Sequence, residues 1–128
     1  MFWPKNETIQ IFQIFYYFIS ITERHIKVFK DSNTLGVKVD IEDNGVNGLL
    51  AKFVDPNGTI GRDGRIHPGD YLVKVNGQNM KNISHEEALE ILRQTHRIPL
   101  NNEISITYIP ASDAAVFKTS VMTRYGFT

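Results

Sequence analysis

Short apolar segments, each interrupted by a turn, make up most of the chain between residues 24 and 110. In "RHIKVFK" (24–30) and "VKVDI" (37–41), apolar residues occupy alternate positions, which is the period of a half-buried β-strand. Turns that contain Gly, Asn or Asp separate the segments. Further segments of similar length are "LLAKFV" (49–54), "YLVKVNG" (71–77), "QNMKNI" (78–83) and "EISITYI" (103–109). The pattern predicts five or six short strands.

One helix is predicted with clear limits, in "SHEEALEILRQ" (84–94). Ser84 is a favourable N-cap, and Glu87 three residues later completes a capping box. Pro99 prevents the helix from continuing far beyond Thr95. A weak helical turn is also expected in "DPNGTIGRDG" (55–64). The chain is therefore predicted to be a small α+β domain, mainly β, with a partly open antiparallel barrel or sandwich capped by helices.

The bulk composition excludes several classes of protein. A chain of 128 residues is enough for one domain. Its 14 basic and 14 acidic residues balance, so it has no electrostatic attraction to nucleic acid or anionic lipid. The absence of cysteine rules out a disulfide framework, a thiolate zinc site and a cysteine nucleophile. This composition fits a cytosolic protein.

The N-terminus differs from the rest of the chain. "TIQIFQIFYYFISI" (8–21) is densely apolar, but it is shorter than the roughly 20 apolar residues that a membrane-spanning helix needs. An extra packed element, a segment that binds a membrane surface or a partner, and a targeting signal all fit this run. We therefore expect an apolar extension at residues 1–22, a domain at 23–110 and a tail without regular periodicity at 111–128.

No motif in the sequence supports catalysis or metal binding. "HEEAL" begins like the zinc motif H-E-x-x-H, but Leu89 stands where the second histidine belongs. His85 and His96 are eleven residues apart, about 16 Å along a helix, so they cannot share a metal. Glu86 and Glu87 point to different helix faces and are badly placed as a catalytic pair. We expect no enzyme activity, no cofactor and no metal site.

Three segments together resemble the PDZ domain family. "GRDGRIHPGDYLVKVNGQNM" (61–80) is similar to the long signature that links the first PDZ helix to the central strands. "TLGV" (34–37) stands where these domains carry a loop often written G-L-G-F, and "SHEEALEILR" (84–93) resembles their second helix. Order and spacing fit, and the resemblance covers residues 24 to 110. It implies a partly open antiparallel barrel of five to six strands capped by two helices.

The resemblance also implies a function, which is the capture of C-terminal tails of other proteins. The tail would add as a strand between the second strand and the second helix. Its carboxylate would meet the backbone N–H groups of the loop at Thr34, Leu35, Gly36 and Val37, with positive charge from Lys30. Its last side chain would enter an apolar pocket. The implied pocket walls are Leu35, Val37, Val39 and Leu92.

His85 receives a specific role from the resemblance. At the first helical position of a PDZ domain, a histidine accepts a hydrogen bond from a ligand Ser or Thr two residues before the terminus. The implied ligand is [Ser/Thr]-x-Φ-COOH, where Φ is hydrophobic. A solvent-exposed histidine and a Leu92 in the core remain the alternatives. The full groove is implied to contain Lys38, Val39, Asp40, Ile41, His85, Leu89 and Leu92.

The implied cellular role is that of a monomeric scaffold or adaptor. Its partners would be tails of membrane receptors, channels or signalling proteins, in the cytoplasm or at the inner face of the plasma membrane and cell junctions. Two alternatives use residues 1–22: a self-occluded or oligomerising module, and a module that binds lipid through the apolar arm with Lys27, Lys30 and Lys38. A third is a fragment of an enzyme whose catalytic part lies elsewhere.

Overall fold

The computed structural model describes residues 23–42 and 45–114. The predicted extension at residues 1–22 and residues 115–128 of the predicted tail lie outside this range. Residues 111–114 are helical, and Ala114 is buried. In chain order the elements are β1 (Arg24–Phe29), β2 (Val37–Ile41), β3 (Leu49–Val54), α1 (Thr59–Asp63), β4 (Tyr71–Val75), β5 (Gln78–Asn79), α2 (His85–Gln94), a 3-10 turn (Thr95–Arg97) and β6 (Glu103–Ile109).

The strands form one open antiparallel sheet in the order β1-β6-β4-β3-β2, with β5 paired to β4. The mainly β prediction with two helices is confirmed. Among the described strands, β2 pairs only with β3, so its other edge is not paired within the sheet. The helix α2 lies beside β2, and residues of both elements line one cavity.

The main core cluster is built from alternate residues of the strands, and a second, smaller cluster contains Tyr71, Val73, Ile109 and Ala114. Ile104 and Ile106 in β6 are almost fully buried, and Val28 of β1 packs with them. Ile60 of α1 and Ala88 of α2 are fully buried in this core, and Ile91 and Leu92 of α2 pack against it. Burying a side chain such as isoleucine contributes about 1.5–3 kcal/mol, so these residues fix the helices on the sheet. Ala88 thus lies on the core-facing side of α2.

The start of α2 is closed by the predicted capping box. The Glu87 N–H donates to Ser84 Oγ at 3.1 Å, and the Ser84 N–H donates to Glu87 Oε1 at 3.1 Å. Two N–H groups that the helix cannot satisfy internally are thereby paired. The capping box fixes the residue at which the helix begins, and with it the position of His85.

Arg65 connects the end of α1 to β1 through an ion pair with Asp63 and a hydrogen bond to a carbonyl oxygen of β1. Arg65 donates through Nη2 to Asp63 Oδ1 at 2.8 Å and also to the Lys27 carbonyl oxygen at 2.9 Å. The hydrogen bond from the Arg65 side chain holds the pKa of Asp63 below its usual range. The segment that leads from α1 into β4 is thus tied to the first strand.

We predict that Ser84→Ala destabilises the domain by about 1 kcal/mol, because the Glu87 N–H loses its acceptor. The free energy of unfolding in urea measures this change. Ser105→Ala is the matched control, since Ser105 is exposed on β6 and surface changes of this kind cost less than about 0.5 kcal/mol. Equal stability of the two variants would contradict a stabilising role for the capping box.

Candidate functional site

A cavity of about 420 Å³ lies between β2 and the C-terminal half of α2. Its lining combines apolar side chains with several polar and charged groups, which is the usual composition of a ligand site. The described residues that line it are Thr34, Gly36, Val37, Lys38, Phe53, Asp55, Leu89, Leu92, Arg93 and His96.

The carbonyl oxygens of the loop at residues 34–36 accept hydrogen bonds from the segment 55–60. In a planar trans peptide, the C=O of one residue and the N–H of the next point in opposite directions. Because the three carbonyls face the segment 55–60, the following N–H groups point away from it, to the side where the cavity lies. The bonds are Thr59 N to Thr34 O (3.1 Å), Ile60 N to Leu35 O (3.1 Å) and Asp55 N to Gly36 O (2.8 Å).

Gly36 allows the loop to approach this segment closely. Its φ of +76° lies in the left-handed region, and a Cβ added to it would stand 2.8 Å from the Gly58 Cα. A side chain would therefore push the two segments apart as well as strain the backbone. The third position of the loop is thus restricted to glycine by its own conformation and by its neighbour.

Thr34 occupies one of the loop's donors. The Gly36 N–H donates to Thr34 Oγ1 at 3.0 Å, so this hydroxyl stands where an external acceptor would otherwise sit. The Leu35 N–H has no hydrogen-bond partner within the described residues. Within this loop, the N–H of Leu35 is thus free and the N–H of Gly36 is already bonded.

The apolar part of the cavity contains only some of the expected walls. Val37, Leu89 and Leu92 line it. Leu35, expected as a wall, is only 3% exposed and belongs to the core cluster. Val39, also expected as a wall, packs against the core instead of lining the cavity. Leu92 has both of the positions considered for it: its partly buried side chain lines the cavity and also packs against the core cluster.

The structure gives Lys30 different partners from the expected carboxylate. Its side chain is buried, and Nζ donates to the carbonyl oxygens of His96 at 2.9 Å and Ile98 at 2.7 Å. These carbonyls belong to the 3-10 turn after α2 and the residue that ends it. The ammonium therefore satisfies the exposed acceptors at the end of the helix, where a positive charge is stabilising.

The remaining predicted residues lie outside the cavity. His85 is exposed at the first position of α2, two turns from Leu92 on the same face. Asp40 lies 3.7 Å from Lys52 Nζ, and its Oδ1 accepts from the Ile41 N–H at 2.9 Å. Val39, Asp40 and Ile41 continue the unpaired edge of β2 beyond the cavity.

Four lining residues were not predicted from the sequence: Phe53, Asp55, Arg93 and His96. Arg93 and His96 follow Leu89 and Leu92 by four residues each, so helical periodicity was a usable signal for them. Phe53 has no such signal. It would share the buried face of Leu49 and Ala51 in a regular strand, but the pairing shifts between Lys38 and Val39, and it is 49% exposed.

A family comparison decides the identity of the fold. The PDZ domain model matches residues 25–107. The chain is a PDZ domain family member. This confirms the resemblance that rested on residues 61–80, 34–37 and 84–93.

Several relatives of this PDZ domain are much longer proteins. Human Multiple PDZ domain protein is 32% identical over 104 residues, which are 81% of this chain but 5% of that protein. Human tyrosine-protein phosphatase non-receptor type 13 is 37% identical over 79 residues, 57% of this chain and 3% of that protein. The chain thus spans only a small part of these relatives.

Solved structures show the same fold. The PDZ domain from choanoflagellate GIPC superposes with a TM-score of 0.55 at 27% identity, and the match covers 70% of this chain and 90% of that one. The same domain has been solved bound to a GAIP peptide and to a B1AR peptide. Within the described residues of our PDZ domain, no helix is long and apolar enough to cross a membrane. The same residues contain no group of three potential metal ligands.

We predict that Lys30→Met destabilises this PDZ domain by about 2 kcal/mol, because two part-buried carbonyls lose a charged donor. The free energy of unfolding in urea measures the loss. Lys27→Met is the matched control, since Lys27 is exposed on β1, which ends one residue before Lys30. If both variants were as stable as the parent, the helix-capping role of Lys30 would be wrong.

Proposed function

We propose that this PDZ domain binds the C-terminal tails of other proteins in the groove between β2 and α2. The observation that carries the proposal is the loop at residues 34–36, whose carbonyls are tied to the segment 55–60. Its N–H groups therefore face an apolar cavity at the unpaired edge of the sheet. The peptide complexes of a similar PDZ domain support the same assignment.

The main chain of the tail adds to the sheet as an antiparallel partner of β2. Strand addition supplies hydrogen bonds that do not depend on the ligand sequence. The loop at the start of β2 then receives the C-terminus of the ligand, and the ligand runs toward Ile41 in the direction of its own N-terminus. Lys38 and Asp40 lie on β2 beside the ligand positions between the two pockets and contribute charge there.

The terminal side chain enters the apolar part of the cavity. The side chains of Val37, Leu89 and Leu92 make only apolar contacts with it. The terminal carboxylate, which is attached to the same Cα as this side chain, accepts hydrogen bonds from the N–H groups of the loop. A medium-sized aliphatic residue fits these walls, and burying it contributes about 1.5–3 kcal/mol. The ligand is thus recognised by its end, because only a terminal residue carries both groups.

The spacing of His85 along α2 supports a role in the recognition of a second ligand residue. Side chains of a strand that share a face recur every two residues, about 6.8 Å apart. The midpoint between Leu89 and Leu92 is about 8 Å from His85 along the helix axis. The ligand side chain two residues before the terminus therefore reaches the imidazole, whose acceptor nitrogen binds a Ser or Thr hydroxyl.

The cellular role follows from tail binding and from the relatives. Micromolar affinity, about −8 kcal/mol, suits a reversible scaffold or adaptor without catalysis. We place its partners among membrane receptors, channels and signalling proteins, and the domain itself in the cytoplasm or at the inner face of the plasma membrane or cell junctions. Residues 8–21 are the segment that would add membrane contact or cover the groove.

The requirement for a free carboxylate tests the proposed function. A synthetic peptide that ends in Thr-Ala-Val is titrated as the free acid and as the C-terminal amide, with fluorescence anisotropy as the readout. We expect the amide to bind at least tenfold more weakly, because it loses the charge-assisted hydrogen bonds to the loop. Equal affinity for the two peptides would contradict the proposal.

The role of His85 has its own test. We expect His85→Ala to weaken a peptide ending in Thr-Ala-Val by about fivefold, the value of one hydrogen bond of roughly 1 kcal/mol. A peptide ending in Val-Ala-Val, which lacks the hydroxyl, should lose little. The difference between the two losses, from titrations on both proteins, isolates the hydroxyl. If both peptides lost the same affinity, His85 would contribute only a packing contact and no hydrogen bond to the hydroxyl.

A further inference from the structure

We infer that Arg93, rather than Lys30, provides the positive charge that faces the terminal carboxylate of the ligand. The inference rests on the proposed function, because it concerns the carboxylate end of the same groove. Four observations support it: the bonds that hold Lys30 elsewhere, the place of Arg93 in the cavity, the free donors of its guanidinium, and the negative charge that Asp55 brings to the same space.

Lys30 is not available to the ligand. Its ammonium donates to two carbonyl oxygens at 2.9 and 2.7 Å, and the residue is 3% exposed. Moving it to the cavity would break both bonds and leave two part-buried acceptors without a donor. A single exposed ion pair with a ligand does not offset that loss. Lys30 therefore acts as a positioning residue for the end of α2.

Arg93 lines the cavity together with the carboxylate loop. It follows Leu89 by one helical turn, on the face that looks toward Thr34 and Gly36. Its side chain is 61% exposed, so its charge is not trapped in the protein. A guanidinium is the cation whose geometry matches a carboxylate, since two of its N–H groups can reach both oxygens.

The guanidinium retains donors for a ligand. Its Nη1 donates to Glu90 Oε1 at 2.9 Å, one turn back on the exposed side of the helix. A guanidinium has five N–H groups, and the described residues accept no other bond from it. The pair with Glu90 holds one side of the group and leaves the other side for an anion in the cavity.

The other charged groups around the cavity increase the need for this cation. Asp55 lines it, and Oδ1 accepts from the Asn57 N–H at 2.9 Å, which leaves a negative charge near the loop. Lys38 is on β2 with its Nζ 5.7 Å from the Phe53 ring centroid, so it is directed toward β3. His96 borders the same end of the cavity. A ligand carboxylate beside Asp55 requires a nearby positive charge, and Arg93 is placed to supply it.

The test combines variants of opposite effect with the two Thr-Ala-Val peptides. We expect Arg93→Gln to weaken the free acid by about threefold to tenfold at low salt and to leave the amide unchanged. Asp55→Asn keeps the acceptor for Asn57, and we expect it to strengthen the free acid about twofold. Arg97→Gln is the charge-matched control, since Arg97 is exposed and does not line the cavity.

Two further variants separate the contact from its surroundings. Glu90→Gln removes the same ion pair but keeps the guanidinium, so it should bind the free acid at least as well as the parent. Arg93→Lys keeps the charge and should retain part of the preference for the acid. Circular dichroism verifies the fold of each protein, and the 61% exposure of Arg93 makes its replacement tolerable.

The outcomes distinguish this inference from the function on which it rests. If the parent prefers the free acid and Arg93→Gln keeps that preference undiminished, the role of Arg93 is wrong and tail binding stands. If the parent binds acid and amide equally, the proposed function itself fails. If Arg93→Gln and Arg97→Gln lost the same affinity for the free acid, the effect would come from the net charge of the domain. That result would also overturn the inference.

Discussion

The hydrogen bonds between the carbonyls of residues 34–36 and the N–H groups of Asp55, Thr59 and Ile60 are the constraint on which the groove depends. They turn three backbone donors toward the cavity before any ligand arrives. The same bonds seat the loop against the buried start of α1, where Gly36 and Gly58 meet without side chains. A binding site made of backbone donors needs this kind of support, because peptide dipoles that could rotate away would lose much of their value for an anion.

The sequence predicted the elements because their signals are local. Alternation over five to seven residues identified the strands, and the capping box at Ser84 located the helix to the residue. The placement of single side chains at the site depended on tertiary geometry. The sequence of the loop is the same whether Leu35 lines the ligand pocket or lies in the core. Only the close approach of the loop to α1 puts it in the core. The shifted pairing after Lys38, which exposes Phe53, leaves no mark in the residue pattern.

Lys30 shows how a charge predicted from position can serve another purpose. The sequence places it before the loop, and nothing in its neighbours reveals that the end of α2 would come within 3 Å of its ammonium. That end carries unsatisfied carbonyls and a negative partial charge close to the cavity. By neutralising them, Lys30 removes a repulsion from the space that we assign to the carboxylate. A lysine that touches no ligand thus influences the potential that a ligand meets.

The position of α2 beside the edge of β2 also limits how many partners the sheet can accept. An unpaired strand at the edge of a sheet is ordinarily a template for uncontrolled pairing with other chains. Here the helix stands across the groove as a wall, so one strand fits and a second has no edge to join. The domain can therefore leave a strand edge exposed to extended chains and still bind them one at a time, without growing into a fibril.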